Sequence, residues 1–123
     1  MAAAGCAEPR TPEAVAEAFI DRYYIERDPK RALALATGVA ASRVADETRL
    51  VNEGQAAGAG VTAVNPHIYY KRRRTVPHGA DLEQSFDLSI DSGGVMLRKD
   101  LRVVTTSVQG VNKVSFFNES DAP

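Results

Sequence analysis

The second half of the chain alternates between apolar and polar side chains. Leu82, Phe86, Leu88 and Ile90 share one parity, and the other parity carries acidic residues and serines. A strand with this period buries one face and exposes the other. Glycine at each break of the pattern supplies the backbone dihedrals that hairpin turns need. The pattern therefore predicts an antiparallel meander, one face of which needs a covering layer.

Four strands are predicted from this pattern, at residues 61–76, 82–90, 95–108 and 111–117. In the third strand Lys99 interrupts an apolar row, so we expect a bulge or a strong bend near residues 99–101. In the fourth strand Val114 and Phe116 share a parity and are expected on one face. A glycine-rich loop at residues 54–60 precedes the sheet, and it is the segment of the domain expected to move most.

The first half of the chain reads as three helices, at residues 12–27, 29–37 and 39–53. Thr11 followed by Pro12 is typical of a helix start, because the threonine caps free amides and proline needs none. Val15, Phe19 and Tyr23 recur every fourth residue and form an apolar stripe. We expect this stripe to pack on the sheet. The second helix is expected to bury Leu33 and Ala36, and the third Ala40 and Val44.

The composition indicates one ordinary globular domain of 123 residues, with 44% hydrophobic and 25% charged residues. A formal net charge of −1 argues against a general polyanion binder. The single cysteine, Cys6, excludes an intrachain disulfide and a cysteine-based zinc site. His67 and His78 have no ligand spacing between them. We assign no metal, cofactor or catalytic residue from the sequence.

Residues 1–10 show no periodicity and are expected to be a disordered lead-in to a domain at residues 11–117, with a loose tail at 118–123. Ala3, Ala4, Gly5 and Cys6 resemble the end of a bacterial lipoprotein signal, whose cysteine becomes lipidated. Leu is commoner than Ala3 in that motif, and the basic and apolar regions that normally precede it are missing. Two interpretations stay open, a lipid anchor on Cys6 in the periplasm or envelope and a cytoplasmic protein, and we favour the first. A lipid on Cys6 would be the protein's only link to a membrane.

The order of three helices and a bent antiparallel sheet, opening with residues 11–24 and then Asp28-Pro29, resembles the NTF2-like (cystatin-like α+β) superfamily. The resemblance covers about residues 11–117. It implies an α+β fold in which three N-terminal helices pack on a strongly bent four-stranded antiparallel sheet, curled into a cone that often holds a pocket. The superfamily commonly places a short strand or hairpin before the third helix, and residues 37–39 leave no room for one.

The resemblance also implies two functional classes, because some members bind ligands or proteins and others resemble ketosteroid isomerase or polyketide cyclases. The enzymes need a carboxylate or histidine inside the cone. Asp21 lies on the polar side of helix 1 and Asp87 on the polar parity of its strand. Asp100 is the one carboxylate with a chance of facing inward, but Lys99 and Arg102 beside it favour a surface ion pair. We therefore favour a non-catalytic domain, with a cone-pocket enzyme as the alternative.

A ligand pocket is expected between helix 1 and the sheet, lined by Tyr24, Tyr69 and Phe86, with Arg102 as a polar contact at its rim. Tyrosine suits a pocket mouth because it joins an apolar ring to a polar tip. The ligand would be small and apolar. The alternative interpretation is that these aromatic side chains only complete the core.

Residues 71–74, Lys-Arg-Arg-Arg, follow two tyrosines and form the one conspicuous charge run. Cations beside aromatic rings can bind single-stranded nucleic acid or an acidic partner. Strict alternation, however, sends two of the four side chains to each face of a strand. We therefore expect rim arginines that protect a sheet edge, and no specific nucleic-acid partner. Self-association into a homodimer is expected through the sheet, with Val104, Val108 and Val114 as candidate contacts.

Overall fold

The computed structural model describes residues 10–56 and 67–121, in which a layer of helices covers one face of a curved antiparallel sheet. The helical elements are α1 (Pro12–Ile20), a π-helical turn (Asp21–Ile25), α2 (Pro29–Leu33) and α3 (Gly38–Ala56). The strands are β1 (His67–His78), β2 (Asp81–Ser92), β3 (Val95–Val108) and β4 (Val111–Asp121), hydrogen-bonded in that order. The predicted α+β class, with three helices before a four-stranded antiparallel sheet, is confirmed.

The starts of α1 and α2 are both capped by a side chain, and the first is the start that Thr11-Pro12 predicts. Thr11 Oγ1 accepts a hydrogen bond from the Ala14 amide at 3.0 Å, and Asp28 Oδ1 accepts one from the Arg31 amide at 3.2 Å. Each cap satisfies an amide that has no partner inside its helix. Proline follows both caps as the first helical residue. The chain therefore enters α1 and α2 where local sequence signals place it.

Helix α2 ends earlier than expected, because the chain after it pairs with the sheet. The Val114 amide donates to the Leu35 carbonyl at 2.7 Å, and the Thr37 amide donates to the Val114 carbonyl at 2.8 Å. Leu33 is consequently exposed, contrary to the prediction, while Ala32, Leu35 and Ala36 are buried. This short pairing covers part of the β4 edge and fixes the turn into α3.

The core lies between α1 and the helix-covered face of the sheet. Phe19 is fully buried, and its ring stands edge-on to Phe117 at 4.8 Å and stacks on Tyr23 at 5.6 Å. Val103 and Leu101 of β3 and Val114 of β4 are buried on the same face. The expected packing of the Phe19 stripe on the sheet is confirmed. Helix α1 lies mainly over β3 and β4 and less over β2.

Strand β3 pairs regularly with β2, so of the two expected features near residues 99–101 the bulge does not occur. Val95, Leu97 and Leu101 lie on one face, as the apolar row suggests. Val95 and Leu97 are nevertheless 60% and 49% exposed, because the helical layer does not reach this end of the sheet. The sequence pattern shows which residues share a face of the sheet, but it does not show how far the helical layer extends over that face.

Two bulges interrupt the sheet at other places. One lies in β1 between Arg72 and Arg74, and the other opposes Val104 and Thr105 of β3 with an extra residue, Ser115, in β4. The second bulge places Val114 and Phe117 on the buried face and turns Phe116 outward. The expected pairing of Val114 with Phe116 on one face is therefore wrong, since a bulge shifts the alternation by one residue.

Some element limits also differ from the prediction. Helix α3 continues to Ala56, through the glycine at which the loop was expected to begin. Strand β4 continues to Asp121, so residues 118–121 are strand instead of a loose tail. Residues 57–66, which hold the rest of the expected loop and the start of the predicted first strand, lie outside the described residues, as does Cys6.

Candidate functional site: a cationic groove on the outer sheet face

We use the name outer face for the side of the sheet away from the helices. Residues opposite each other on neighbouring strands share a face, so the strand register defines the outer face row by row. One row holds Tyr69, Ser89 and Arg98, the next Lys71, Asp87, Asp100 and Ser120, and the third Arg74, Ser85, Arg102 and Asn118. These three adjacent rows carry charge, hydroxyls and long side chains next to one another.

The bulge in β1 decides how the basic run of residues 71–74 is distributed. Arg72 lies on the helix-covered face, where it contacts Glu17 Oε2 at 2.7 Å and lies over the Phe86 ring. Lys71 and Arg74 both lie on the outer face, since the register shifts between Arg72 and Arg74. The extra residue, Arg73, reaches outer-face carboxylates. Three of the four cations therefore share the outer face, whereas strict alternation predicted two.

A groove forms on the outer face because small and long side chains alternate from strand to strand. Ser85, Asp87 and Ser89 of β2 are short, so the middle of the groove is low. Long cationic side chains stand on either side of this floor, namely Lys71, Arg73 and Arg74 on β1 and Arg98 and Arg102 on β3. We call the surface formed by these eight residues the groove. It contains two adjoining cavities of about 440 and 550 Å³, which share Arg73 and Asp100.

The charges of the groove are only partly neutralised. Arg73 lies 3.4 Å from Asp87 and 2.8 Å from Asp100, so one guanidinium serves both carboxylates. Within the described residues, Lys71, Arg74 and Arg98 have no ion-pair partner. The three are exposed. The groove therefore presents unpaired positive charge beside hydroxyl groups, a combination that suits carboxylate or phosphate groups.

Arg102 has a partner and still reaches solvent. Its Nε lies 3.2 Å from Glu83 Oε2, and its side chain is 61% exposed. His78 Nε2 lies 3.0 Å from the other oxygen of Glu83. Glu83 therefore belongs to the rim of the groove and holds Arg102 toward one end of it.

The structure does not bring the four residues of the expected pocket together. Phe86 is fully buried on the helix-covered face, and Tyr24 is half-buried on that side against Phe117. Tyr69 lies on the outer face and is 59% exposed, and the Arg102 side chain on the same face is 61% exposed. The sheet separates the two pairs, so Tyr24, Tyr69, Phe86 and Arg102 do not line one cavity. The expected pocket does not form, because adjacent strand residues take opposite faces. Tyr70 lies on the helix-covered face, and Tyr69 therefore lies on the outer face.

The tyrosines that do lie on the helix side have unusual surroundings. The hydroxyls of Tyr23 and Tyr24 are buried without a hydrogen-bond partner in the described residues. Tyr70 donates its hydroxyl to Asp21 Oδ1 at 2.9 Å. Burial raises the pKa of all three phenols well above the usual range, and nearby carboxylates add to the effect. These phenols consequently stay neutral at physiological pH.

The carboxylates named from the sequence lie on both faces of the sheet, and several of them have polar or cationic partners. Asp100 faces outward and forms the surface ion pair that the sequence favoured, although its partner is Arg73 and not Lys99 or Arg102. On the helix side, Asp21 is held by Tyr70, and Glu119 pairs with Arg43 Nη2 at 2.6 Å. Within the described residues no group of three His, Cys, Asp or Glu side chains has a metal-binding arrangement. Sequence reasoning missed the Asp21–Tyr70 contact, because it depends on which face Tyr70 takes.

Comparisons of the chain with models of protein families, with curated proteins and with solved structures found no match. The helices of the described residues include none that is both long and apolar enough to cross a membrane.

The groove residues were visible in the sequence only as separate signals. Ser85 and Ser89 lie on the polar parity of β2, four residues apart. Arg98 lies on the next strand and gave no signal by itself. From the sequence one can predict that β2 carries short side chains on its polar face and that β1 carries the basic run. The strand register, which places Arg98 opposite Ser89, is known only from the structure.

Proposed function

We propose that the protein is a non-catalytic binding domain of NTF2-like type, whose outer sheet face holds an anionic partner. The observation that carries the proposal is a set of three cations, Lys71, Arg74 and Arg98, which lie around the serine floor of the groove and have no ion pair within residues 10–56 and 67–121. Complementary charge steers and aligns partners more than it adds affinity. Membership of the superfamily is supported by the element order and by α1 packing across one sheet face.

Two features support the groove over an apolar pocket on the helix side. First, the side chains around Phe19 and Phe86 are tightly packed, and both rings are fully buried. Second, the two cavities described above open on the outer face, and most of their lining residues are charged or carry a hydroxyl group. Each cavity falls within the size range of ligand sites, which is roughly 300–1,000 Å³.

The proposal is tested with a labelled polyglutamate chain as the anionic probe and fluorescence anisotropy as the measurement. The double variant Arg74→Glu/Arg98→Glu removes two unpaired cations from the groove. Arg10→Glu/Lys30→Glu is the matched control, because it changes the net charge equally at exposed positions outside the groove. We expect the groove variant to weaken binding at least about tenfold, and the control about twofold or less.

Equal losses in both variants would mean that net charge alone attracts the probe, and the proposal would then be wrong. The same conclusion follows if the unmodified protein does not bind the probe at low salt. Raising the salt concentration should weaken binding by the unmodified protein, since exposed charges are screened within about 10 Å at 0.1 M salt.

Two further proposals concern assembly and location. Self-association through the sheet is supported by apolar side chains exposed on the outer face, but Val114 cannot contribute, because it is fully buried under the helices. Anchoring at the bacterial cell envelope through Cys6 rests on the sequence alone.

A further inference from the structure

The two ends of the groove are separated by a neutral middle. At one end, Ser89 lies between Tyr69 and Arg98, and at the other Ser85 lies between Arg74 and Arg102. The row between them contains Asp87 and Asp100 together with Lys71, and Arg73 contacts both carboxylates. Two positive charges and two negative charges thus balance in the middle row. Unbalanced positive charge remains at both ends.

The distance between the ends follows from strand geometry. Ser85 and Ser89 are four residues apart on one strand, which corresponds to about 13 Å at the usual rise of a β-strand. The Arg73–Asp100 contact lies between the two cavities and divides them. A ligand that fills both cavities therefore needs two anionic groups about 13 Å apart with a neutral portion between them.

We propose that the groove takes an acidic peptide segment in extended conformation, with carboxylate side chains four residues apart and no acidic residue midway between them. In an extended peptide, residues i, i+2 and i+4 point to the same side, so residues i and i+4 match the spacing of the two ends. A carboxylate at i+2 would lie in the balanced middle row, where Asp87 and Asp100 offset the charges of Lys71 and Arg73, so it would add no net attraction. This inference rests on the proposed function and adds the partner class and its charge spacing.

Nucleic acid fits this arrangement less well than a peptide. A phosphate chain carries charge at every unit, so one of its charges would lie in the balanced middle row and gain no net attraction there. Tyr69 is the exposed aromatic side chain within the three rows of the groove, whereas single-strand platforms stack successive bases on several rings. The partner is therefore better described as a peptide with spaced acids than as a uniform polyanion.

Three synthetic peptides of identical composition test the inference, each with two glutamates in a serine background. The glutamates are four residues apart in the first, two apart in the second and adjacent in the third. Binding to the full chain is followed by NMR through the amide signals of Ser85 and Ser89. We expect the first peptide to shift both signals together and to bind about tenfold more tightly than its isomers.

Single-end variants sharpen the test. Arg98→Gln and Arg74→Gln each remove the cation without an ion pair at one end, and each should reduce the affinity of the four-residue-spaced peptide to that of its isomers. The adjacent-glutamate peptide should lose less, since it needs one end only. Lys30→Gln is the control and should leave all three affinities unchanged.

The outcomes separate the inference from the proposed function. If the three peptides bind equally and the groove variants still abolish binding, the spacing inference is overturned, while anion binding at the groove stands. If an oligothymidine of equal charge binds more tightly than the spaced peptide and depends on Arg74 and Arg98, the partner class is overturned in favour of nucleic acid. If neither the peptides nor polyglutamate bind, both the inference and the proposed function are wrong.

Discussion

Arg73 on β1 contacts Asp100 on β3 at 2.8 Å by reaching across the strand that lies between them. The contact is possible because Arg73 is the extra residue of the β1 bulge and because the residues beneath it on β2 are short. The same guanidinium contacts Asp87, which lies directly opposite Asp100. Like charges opposite each other destabilise a sheet, so Arg73 offsets a repulsion that the register imposes.

Replacing Arg73 with Ala should therefore lower the free energy of unfolding by about 0.5–1 kcal/mol at low salt, since the pair of carboxylates loses its shared cation. Adding Asp100→Asn in the same chain should restore most of the loss. Urea unfolding measures both changes. Arg74→Ala is the control: this neighbouring arginine has no ion pair in the described residues, so its removal should have little effect. Equal losses for the two arginines would contradict the assigned role of Arg73.

The position of Arg73 also shows what could be predicted from the sequence. The alternation from Leu82 to Ile90 correctly gave the buried face of β2, because period two is a property of the chain itself. The bulges at Arg73 and Ser115 left no local signal, because a bulge depends on how two distant strands align. One undetected bulge placed three cations on one face, and the other exchanged Phe116 with Phe117.

The prediction of one pocket shared by Tyr24, Tyr69, Phe86 and Arg102 failed because it, too, depended on strand alignment. Phe86 was correctly placed inside, and the Phe19 stripe was correctly placed on the sheet. Tyr69, however, was assigned inward without knowing its register, and adjacent residues on a strand face opposite ways. Val95 and Leu97 show a further limit, since the sequence pattern assigns them to the buried parity but cannot show that the helices end before them.

Phe19→Ala should cost about 3–5 kcal/mol of unfolding free energy, the usual range for truncating a buried phenylalanine. The ring is fully buried between Tyr23 and Phe117, so its removal leaves a cavity that these neighbours cannot fill without moving. Tyr69→Ala is the control, since that aromatic side chain is 59% exposed on the outer face and lies outside the expected self-association patch. A loss below about 1 kcal/mol for Phe19→Ala would show that the α1 packing is wrong.

Stability should fall at high pH because of the buried phenols. Burial raises the pKa values of Tyr23, Tyr24 and Tyr70 in the folded state, and an unfolded tyrosine ionises near pH 10. The unfolded state therefore loses its protons first, so the stability present below about pH 10 decreases as the pH rises further. Urea unfolding as a function of pH measures the decrease, and tyrosinate absorbance should appear together with unfolding.

The variant Tyr23→Phe/Tyr24→Phe/Tyr70→Phe is the control for this prediction. It keeps the rings and removes the ionisable groups, so the fall in stability above pH 10 should become smaller. An unchanged pH dependence would show that lysine ionisation or general charge repulsion causes the loss. Ionisation of all three phenols near pH 10 in the folded protein would contradict the burial on which the prediction rests.

Self-association is expected through an apolar patch at the end of the outer face beyond the groove. Phe116 lies opposite Val104, and Val111 lies opposite Val108, so the β3–β4 hairpin presents two apolar pairs on the outer face, with the Thr106–Lys113 pair between them. Val111 is 54% exposed, and Phe116 and Val108 are each 38% exposed. A second copy could cover this patch, which explains why Val104 and Val108 remain candidates although Val114 does not.

Phe116→Lys should shift the protein to a monomer in sedimentation measurements over a micromolar concentration range, because a buried ammonium without a partner is costly. Val95→Lys, at an exposed apolar position on the opposite face and far end of β3, should leave the association unchanged. A protein that is monomeric at every concentration would contradict the expectation, and equal effects of the two lysines would move the interface to another surface.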